Sequence, residues 1–222
     1  MKKLLCGLAT LSMALSLVAC GGDTGTAGTT TGTPTTGTET GAVTGGTFVI
    51  QQSGEPATLN PDAISDDNNY AIAQNIFGRL VKLTNDYTAI PDLADLPEVS
   101  DDALTYTFHL KEGVKWHDGE PFTSADVVYT YQTIIDNQYA HASVFVNVDT
   151  ITAPDDYTVV FNMKQPDGSF VSNLAWYGAF VLPKHILEGQ DWLTGDFTQH
   201  PVGTGPFKFD TWNKGTDIQI VR

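Results

Sequence analysis

The groups in this chain whose types could carry chemistry are five histidines and three acidic doublets. The histidines are His109, His117, His141, His185 and His200; the doublets are Asp66-Asp67, Asp101-Asp102 and Asp155-Asp156. A zinc-binding helix places ligands one turn apart, yet no two histidines stand four residues apart and none neighbours a cysteine. Paired carboxylates can hold calcium or act as acid and base on a glycoside. The doublets at 101–102 and 155–156 sit in sequence that reads as turn, where Asp bonds its own backbone. Asp66-Asp67 differs, because it precedes a helical pattern in a loop that must face something. His117-Asp118 reads as a solvated turn before Gly119, and His109 as a residue on the polar face of a strand. Trp176, Tyr177 and Phe180 could line a pocket, but such a group is more often core. Phosphate-loop, nucleophile-elbow and zinc-helix motifs are all missing. No catalytic residue, metal site or cofactor is therefore expected.

These groups need elements to position them. Residues 47–51 form a β-branched and aromatic run that reads as a strand. Asn68 and Asn69 are N-cap residue types for a helix over 70–83, with Ile72, Ile76, Phe77, Leu80 and Val81 on one stripe. Residues 104–110 alternate apolar and polar, the period of a half-buried strand. Thr123, with Asp126 three residues on, is a capping-box variant opening a helix whose buried face is Val127, Val128, Tyr131, Ile134 and Ile135. Hairpins are expected over 149–163 and 207–221, and a short helix from Pro183 through Leu187. Helices and strands mix without a strict βαβ rhythm, which gives a mixed-sheet α/β or α+β class.

The N-terminus reads as an address. Lys2 and Lys3 precede an apolar stretch over 4–18, too short to span a bilayer comfortably and typical of a secretory signal peptide. Leu17-Val18-Ala19-Cys20 resembles a bacterial lipobox, which implies diacylglycerol on the Cys20 thiol and cleavage before it, removing residues 1–19. Residues 21–47 hold 9 Gly and 12 Thr, so they cannot bury enough surface to offset chain entropy. They read as a tether reaching about 30 Å, with the folded part starting near residue 47. The formal net charge of −15 argues against nucleic acid as a partner, since phosphate binding needs clustered Lys and Arg. Cys6 and Cys20 are the only cysteines, so no disulfide framework is available to the fold.

Two segments carry a family resemblance. Residues 106–127, from Tyr106-Thr107-Phe108-His109-Leu110 through Lys115-Trp116-His117-Asp118-Gly119-Glu120-Pro121-Phe122 to Asp126-Val127, closely resemble the signature of extracellular solute-binding proteins of family 5. This is the peptide- and nickel-binding group of ABC importers. Pro201-Val202-Gly203-Thr204-Gly205-Pro206-Phe207 and the following Trp212-Asn213-Lys214-Gly215 resemble a second segment of that family. In the sequence Gly203 and Gly205 read as positions needing unusual backbone angles. The resemblance implies a periplasmic-binding-protein-like class II α/β fold with a mixed sheet, closing on its ligand by hinge motion. It divides the folded part into 47–83 (lobe I, first part), 84–167 (a family-specific subdomain) and 168–222 (lobe I, second part), after a signal peptide at 1–19 and a tether at 20–46. Family members are much longer, so the chain is expected to be an N-terminal fragment lacking the second lobe.

By order along the chain, the resemblance places Ser53, Gly54 and Glu55, then Ser65, Asp66, Asp67 and Asn68, at the ligand cleft. It implies a lipid-anchored receptor on the extracytoplasmic face of the cell membrane. That receptor is not an enzyme: it hands oligopeptides or dipeptides to ABC permease subunits. A receptor for a nickel chelate or sugar, and an adhesive surface lipoprotein, remain alternatives. A lipoprotein hydrolase using an acidic doublet is disfavoured by the missing nucleophile.

Overall fold

The computed structural model describes residues 45–176 and 179–222, so the signal peptide, Cys20, nearly all of the tether and Tyr177 lie outside the described residues. A boundary falls after Phe48. On its N-terminal side, residues 45–48 are exposed and irregular; the rest of this description concerns the unit Val49–Arg222.

Helix α1 spans Asp67–Ile76. It begins earlier than the pattern suggests, because Asp66 rather than Asn68 or Asn69 is the cap. Asp66 Oδ1 accepts from the Asn68 N–H at 2.9 Å, and Oδ2 accepts from the Ala57 N–H at 2.8 Å. A carboxylate at this position also meets the positive end of the helix dipole. The helix stops at Ile76, well short of residue 83. Phe77 turns extended, and a Cβ at Gly78 would sit 2.8 Å from Leu93 and Thr204 side-chain atoms. Leu80 and Val81 are buried all the same, at and just before strand β1 (Val81–Leu83), which pairs antiparallel with β2 (Ala89–Pro91).

The largest sheet is antiparallel, in the order β3-β4-β6-β5, with β3 at Glu98–Val99, β4 at Thr105–His109, β5 at Val148–Asp155 and β6 at Thr158–Met163. Alternation in β4 buries Tyr106 and Phe108 and leaves His109 exposed, as its period predicts. Helix α2 (Ser124–Asn137) packs on β5 and β6 through Val127, Tyr131 and Ile134. The expected capping box is present, with the Thr123 N–H donating to Asp126 Oδ2 at 3.0 Å. Phe108, Phe161 and Phe170 meet edge-on, with centroids 5.2–5.5 Å apart. Short helices α3 (Phe170–Trp176) and α4 (Lys184–Leu187) follow, the latter starting one residue after Pro183, which holds the N-cap position rather than the first helical one. The hairpin of β7 (Lys208–Asn213) and β8 (Asp217–Val221) ends the chain. All strand pairs among the described residues are antiparallel.

Two expectations are corrected. Residues 47–51 form no strand, and Phe48, Val49 and Ile50 stand exposed; a β-prone run makes a strand only when another strand pairs with it, and none among the described residues does. Gly203 and Gly205 adopt no positive φ. They are required by close approach: a Cβ at Gly203 would fall 2.0 Å from Ile76 O, and one at Gly205 2.5 Å from Asn75 O. Gly113, by contrast, has φ +76 and open space around it. G113A should therefore cost about 1–2 kcal/mol of backbone strain, whereas G203A must displace the end of α1 and should cost about 3 kcal/mol or more. Thermal melts of the two variants check the order; equal losses would refute the packing argument.

Candidate functional site

An open cleft of about 670 Å³ lies along α1 and among the β1–β2 hairpin, the end of α3 and residues 204–206. Each wall has a local reason to be there. Ser65, Asp66 and Asp67 reach it because Asp66 ends the preceding loop as a cap. Thr204, Gly205 and Pro206 reach it because the Gly205 N–H donates to Ile76 O at 2.7 Å and the Phe207 N–H to Asn75 O at 3.1 Å. These bonds satisfy carbonyls that the end of α1 would otherwise leave orphaned. The Gly78 N–H donates to Thr204 Oγ1 at 3.1 Å and fixes the same segment from the other side.

A buried polar group sits in and just behind the cleft wall. Arg79 is 8% exposed. Its guanidinium lies 4.4 Å from the Phe180 ring centroid and 5.2 Å from that of Tyr70, and Nη1 donates to Ala175 O at 3.0 Å. Asp62 is fully buried, and neither carboxylate oxygen has a hydrogen-bond partner in good geometry. Burial pushes its carboxyl well above the usual range, opposed by the Phe180 backbone N–H and by the charge of Arg79. Burial likewise lowers the pKa of His141, which lines the cleft beside Pro61. Asp92 is committed elsewhere: Oδ2 accepts from the Arg79 backbone N–H at 3.0 Å, and Oδ1 meets Lys82 Nζ at 3.2 Å.

Aromatic rings form the rim. Tyr87 holds φ 63, a left-handed conformation uncommon for an aromatic residue, and stacks on Trp176 with centroids 5.0 Å apart and planes 24° apart. Tyr70 Oη donates to Trp176 O at 3.0 Å. Phe180 is core, as expected of its group, whereas Trp176 stands at the cleft.

The structure brings together the two segments singled out in the sequence. Ser53 Oγ donates to Asn68 Oδ1 at 3.0 Å, Gln52 Nε2 to Asn68 O at 3.3 Å, and a Cβ on Gly54 would lie 3.2 Å from the Asn68 amide. Ser65, Asp66 and Asp67 line the cleft. Glu55 instead turns to the last hairpin, where Oε1 accepts from the Gly215 N–H at 2.9 Å and from Trp212 Nε1 at 2.8 Å. Those two bonds hold its pKa below the ordinary value. Arg79, Lys82 and Tyr87 were not anticipated. Arg79 had a signal, a lone charge inside the apolar run 76–81; Tyr87 had none beyond its place in a turn.

The other chemistry-bearing groups resolve into scaffold. Asp102 accepts from Ser100 Oγ and the Leu104 N–H, and Asp155 from the Tyr157 N–H, which is turn chemistry. Among the described residues, no cluster of three or more His, Cys, Asp or Glu could hold a metal. His117 is the correction, being half-buried rather than a solvated turn residue. Its Nδ1 accepts from the Gly203 N–H at 3.3 Å, its Nε2 lies 2.9 Å from Gly205 O, and its backbone N–H donates to Gly203 O at 2.9 Å. The geometry suits the neutral ring with the proton on Nε2. Asp118 pairs with His185 Nε2 at 2.8 Å.

The described fold is a mixed α/β part of a periplasmic-binding-protein-like protein. It superposes on the Bacillus subtilis oligopeptide-binding protein AppA in complex with a nonapeptide with a TM-score of 0.70, 32% identity, and coverage of 75% of this chain and 34% of that one. A second match is NikZ from Campylobacter jejuni in complex with Ni(L-His), with a TM-score of 0.68, 31% identity, and coverage of 75% of this chain and 33% of that one. Residues 88–222 match the model described as bacterial extracellular solute-binding proteins, family 5 Middle. Protein XP55 of Streptomyces lividans is 38% identical over 175 residues, which are 77% of this chain and 31% of that protein. The chain belongs to the family 5 extracellular solute-binding proteins, which are binding proteins and not enzymes. It spans about a third of the length of the curated relatives it matches. No helix among the described residues is long and apolar enough to cross a membrane.

Burial lowers the His117 pKa below the ordinary 6.5 of imidazole, and the charge of Lys208 adds to that, while the bond to Gly205 O opposes both. Below that ordinary value the unfolded chain takes up a proton that the folded one resists. His117 therefore stabilises the fold above the unfolded pKa and loses that contribution as pH falls through the lowered native one. The melting-temperature advantage of the native protein over H117Q should shrink between about pH 7.5 and about pH 5.5. An advantage that grows on acidification would refute the neutral-ring assignment.

Proposed function

We propose that this chain is part of a lipid-anchored receptor that captures oligopeptides or dipeptides outside the membrane and delivers them to the permease subunits of an ABC importer. The anchor is diacylglycerol on Cys20, the tether is residues 20–46, and the ligand contacts are drawn from Ser53, Gly54, Glu55, Ser65, Asp66, Asp67 and Asn68. The division at 47–83, 84–167 and 168–222 belongs to this reading; the four-stranded sheet with α2 falls within its middle part. One observation carries the proposal: an open cleft lined by carboxylates and by a largely buried cation, in a chain 32% identical to a protein crystallised with a nonapeptide. Carboxylates suit the ammonium end of a peptide, and backbone edges suit its amides. The match to a protein that holds Ni(L-His) supports a second reading, capture of a nickel chelate.

Thermal shift of the protein made from its complete gene decides between them. Di- to pentapeptides should stabilise it by RT ln(1 + [L]/Kd), and D67N should weaken the best peptide about tenfold while costing the free protein only the small helix-dipole contribution of a first-turn acid. Stabilisation by nickel–histidine alone would favour the second reading, and no shift with either would refute both.

Anchoring is tested separately. Cells expressing the native gene should incorporate labelled palmitate into the product and retain it in the membrane fraction, and C20S should lose both. Unlabelled native product would refute the anchor.

A further inference from the structure

A cation that is 92% buried in a strongly acidic chain requires an explanation. Taking a guanidinium out of water is costly unless its donors find acceptors. Arg79 has five N–H donors, and among the described residues one protein acceptor is bonded, Ala175 O, through Nη1. Its nearest carboxylates do not complete the set. Asp62 forms no hydrogen bond in good geometry, and the burial that raises its pKa favours the neutral acid. Asp92 bonds the Arg79 backbone and Lys82 rather than the guanidinium. The Phe180 and Tyr70 rings hold the guanidinium in place, and Arg79 is part of the cleft wall. A fixed, under-bonded, planar fork on a residue of the cleft wall matches a carboxylate in both charge and shape.

We propose that Arg79 is the specificity-determining contact of this cleft and selects ligands that bring a carboxylate to it. The inference rests on the reading that the cleft takes peptides, and it deepens that reading by naming the ligand end that Arg79 receives.

The test compares each of a set of di- to pentapeptides as the free acid and as the C-terminal amide, measured by calorimetry on the protein made from its complete gene. The native protein should bind free acids at least about tenfold more tightly than amides. R79Q should lose that preference, mainly by weakening the acids, and R79K should keep a reduced one, since an ammonium supplies charge without the fork. The comparison on the native protein needs no variant, so a folding defect in R79Q does not hide the result, and R79K keeps the charge if R79Q fails to fold. Equal binding of acids and amides by the native protein overturns the role of Arg79 and leaves peptide capture standing. So does an acid preference that survives undiminished in both R79Q and R79K. Failure of every peptide in both forms overturns the two readings together.

Discussion

The fold depends on how the C-terminal end of α1 is finished. A helix that ends inside a protein must place its last carbonyls against donors, and here the donors come from far along the chain, the N–H groups of Gly205 and Phe207 bonding Ile76 O and Asn75 O. The approach is so close that neither Gly203 nor Gly205 can carry a Cβ. His117 then grips the same segment from its other side through three hydrogen bonds. One strap thus joins α1, the turn after β4 and the approach to the last hairpin, and its outer surface is a wall of the cleft. The second segment of the family resemblance is this strap and the first contains His117, so the two resemblances in the sequence are the two halves of one contact.

Against that rigid wall, the cleft collects the features that cost stability. Tyr87 holds a backbone conformation that L-residues avoid, Arg79 is buried, and the Asp62 carboxylate is buried with no hydrogen bond in good geometry. Each costs of order a few kcal/mol, and the three lie in or behind one wall region. Left-handed residues also occur away from the cleft, at Ala103 and Gln138, but among the described residues the buried arginine and the under-bonded carboxylate come together only here, and that coincidence is what the proposed binding role draws on.

What was legible in the sequence follows from the range of the interactions involved. The alternation of 104–110, the capping box at Thr123 and the hairpins are decided by neighbours within a few residues, and they form where the pattern puts them. The end of α1 is decided by residues 93 and 204, which no local period reports, so the helical stripe ran on through Leu80 and Val81. Both are buried in either conformation, and burial is all that the stripe recorded. His117 misled for the same reason: His-Asp-Gly has turn chemistry locally, and only the arrival of Gly203 makes it a clamp. The loops at 53–55 and 65–68 were found through resemblance, and their contact through Asn68 is real, yet Glu55 bonds the distant hairpin. Arg79 was visible as a lone charge in an apolar run, which a period-based reading treats as an interruption rather than a finding.

The net charge of −15 gives the position of Arg79 its meaning. A surface this acidic repels anions at long range, and in physiological salt that field decays over about 8 Å. An exposed cation on such a surface would be screened by water and compensated by neighbouring carboxylates, as Lys82 is by Asp92. Selection for a carboxylate therefore requires a cation withdrawn among rings, where the effective dielectric is low and the nearby acids are either pushed by burial toward the neutral form or committed to other donors. A zwitterionic peptide, carrying no net charge, escapes the long-range repulsion and meets the cation only once inside. If Arg79 has the proposed role, the acidic surface and the buried arginine would act in sequence on one ligand, the first disfavouring plain anions and the second orienting a zwitterion by its carboxylate end.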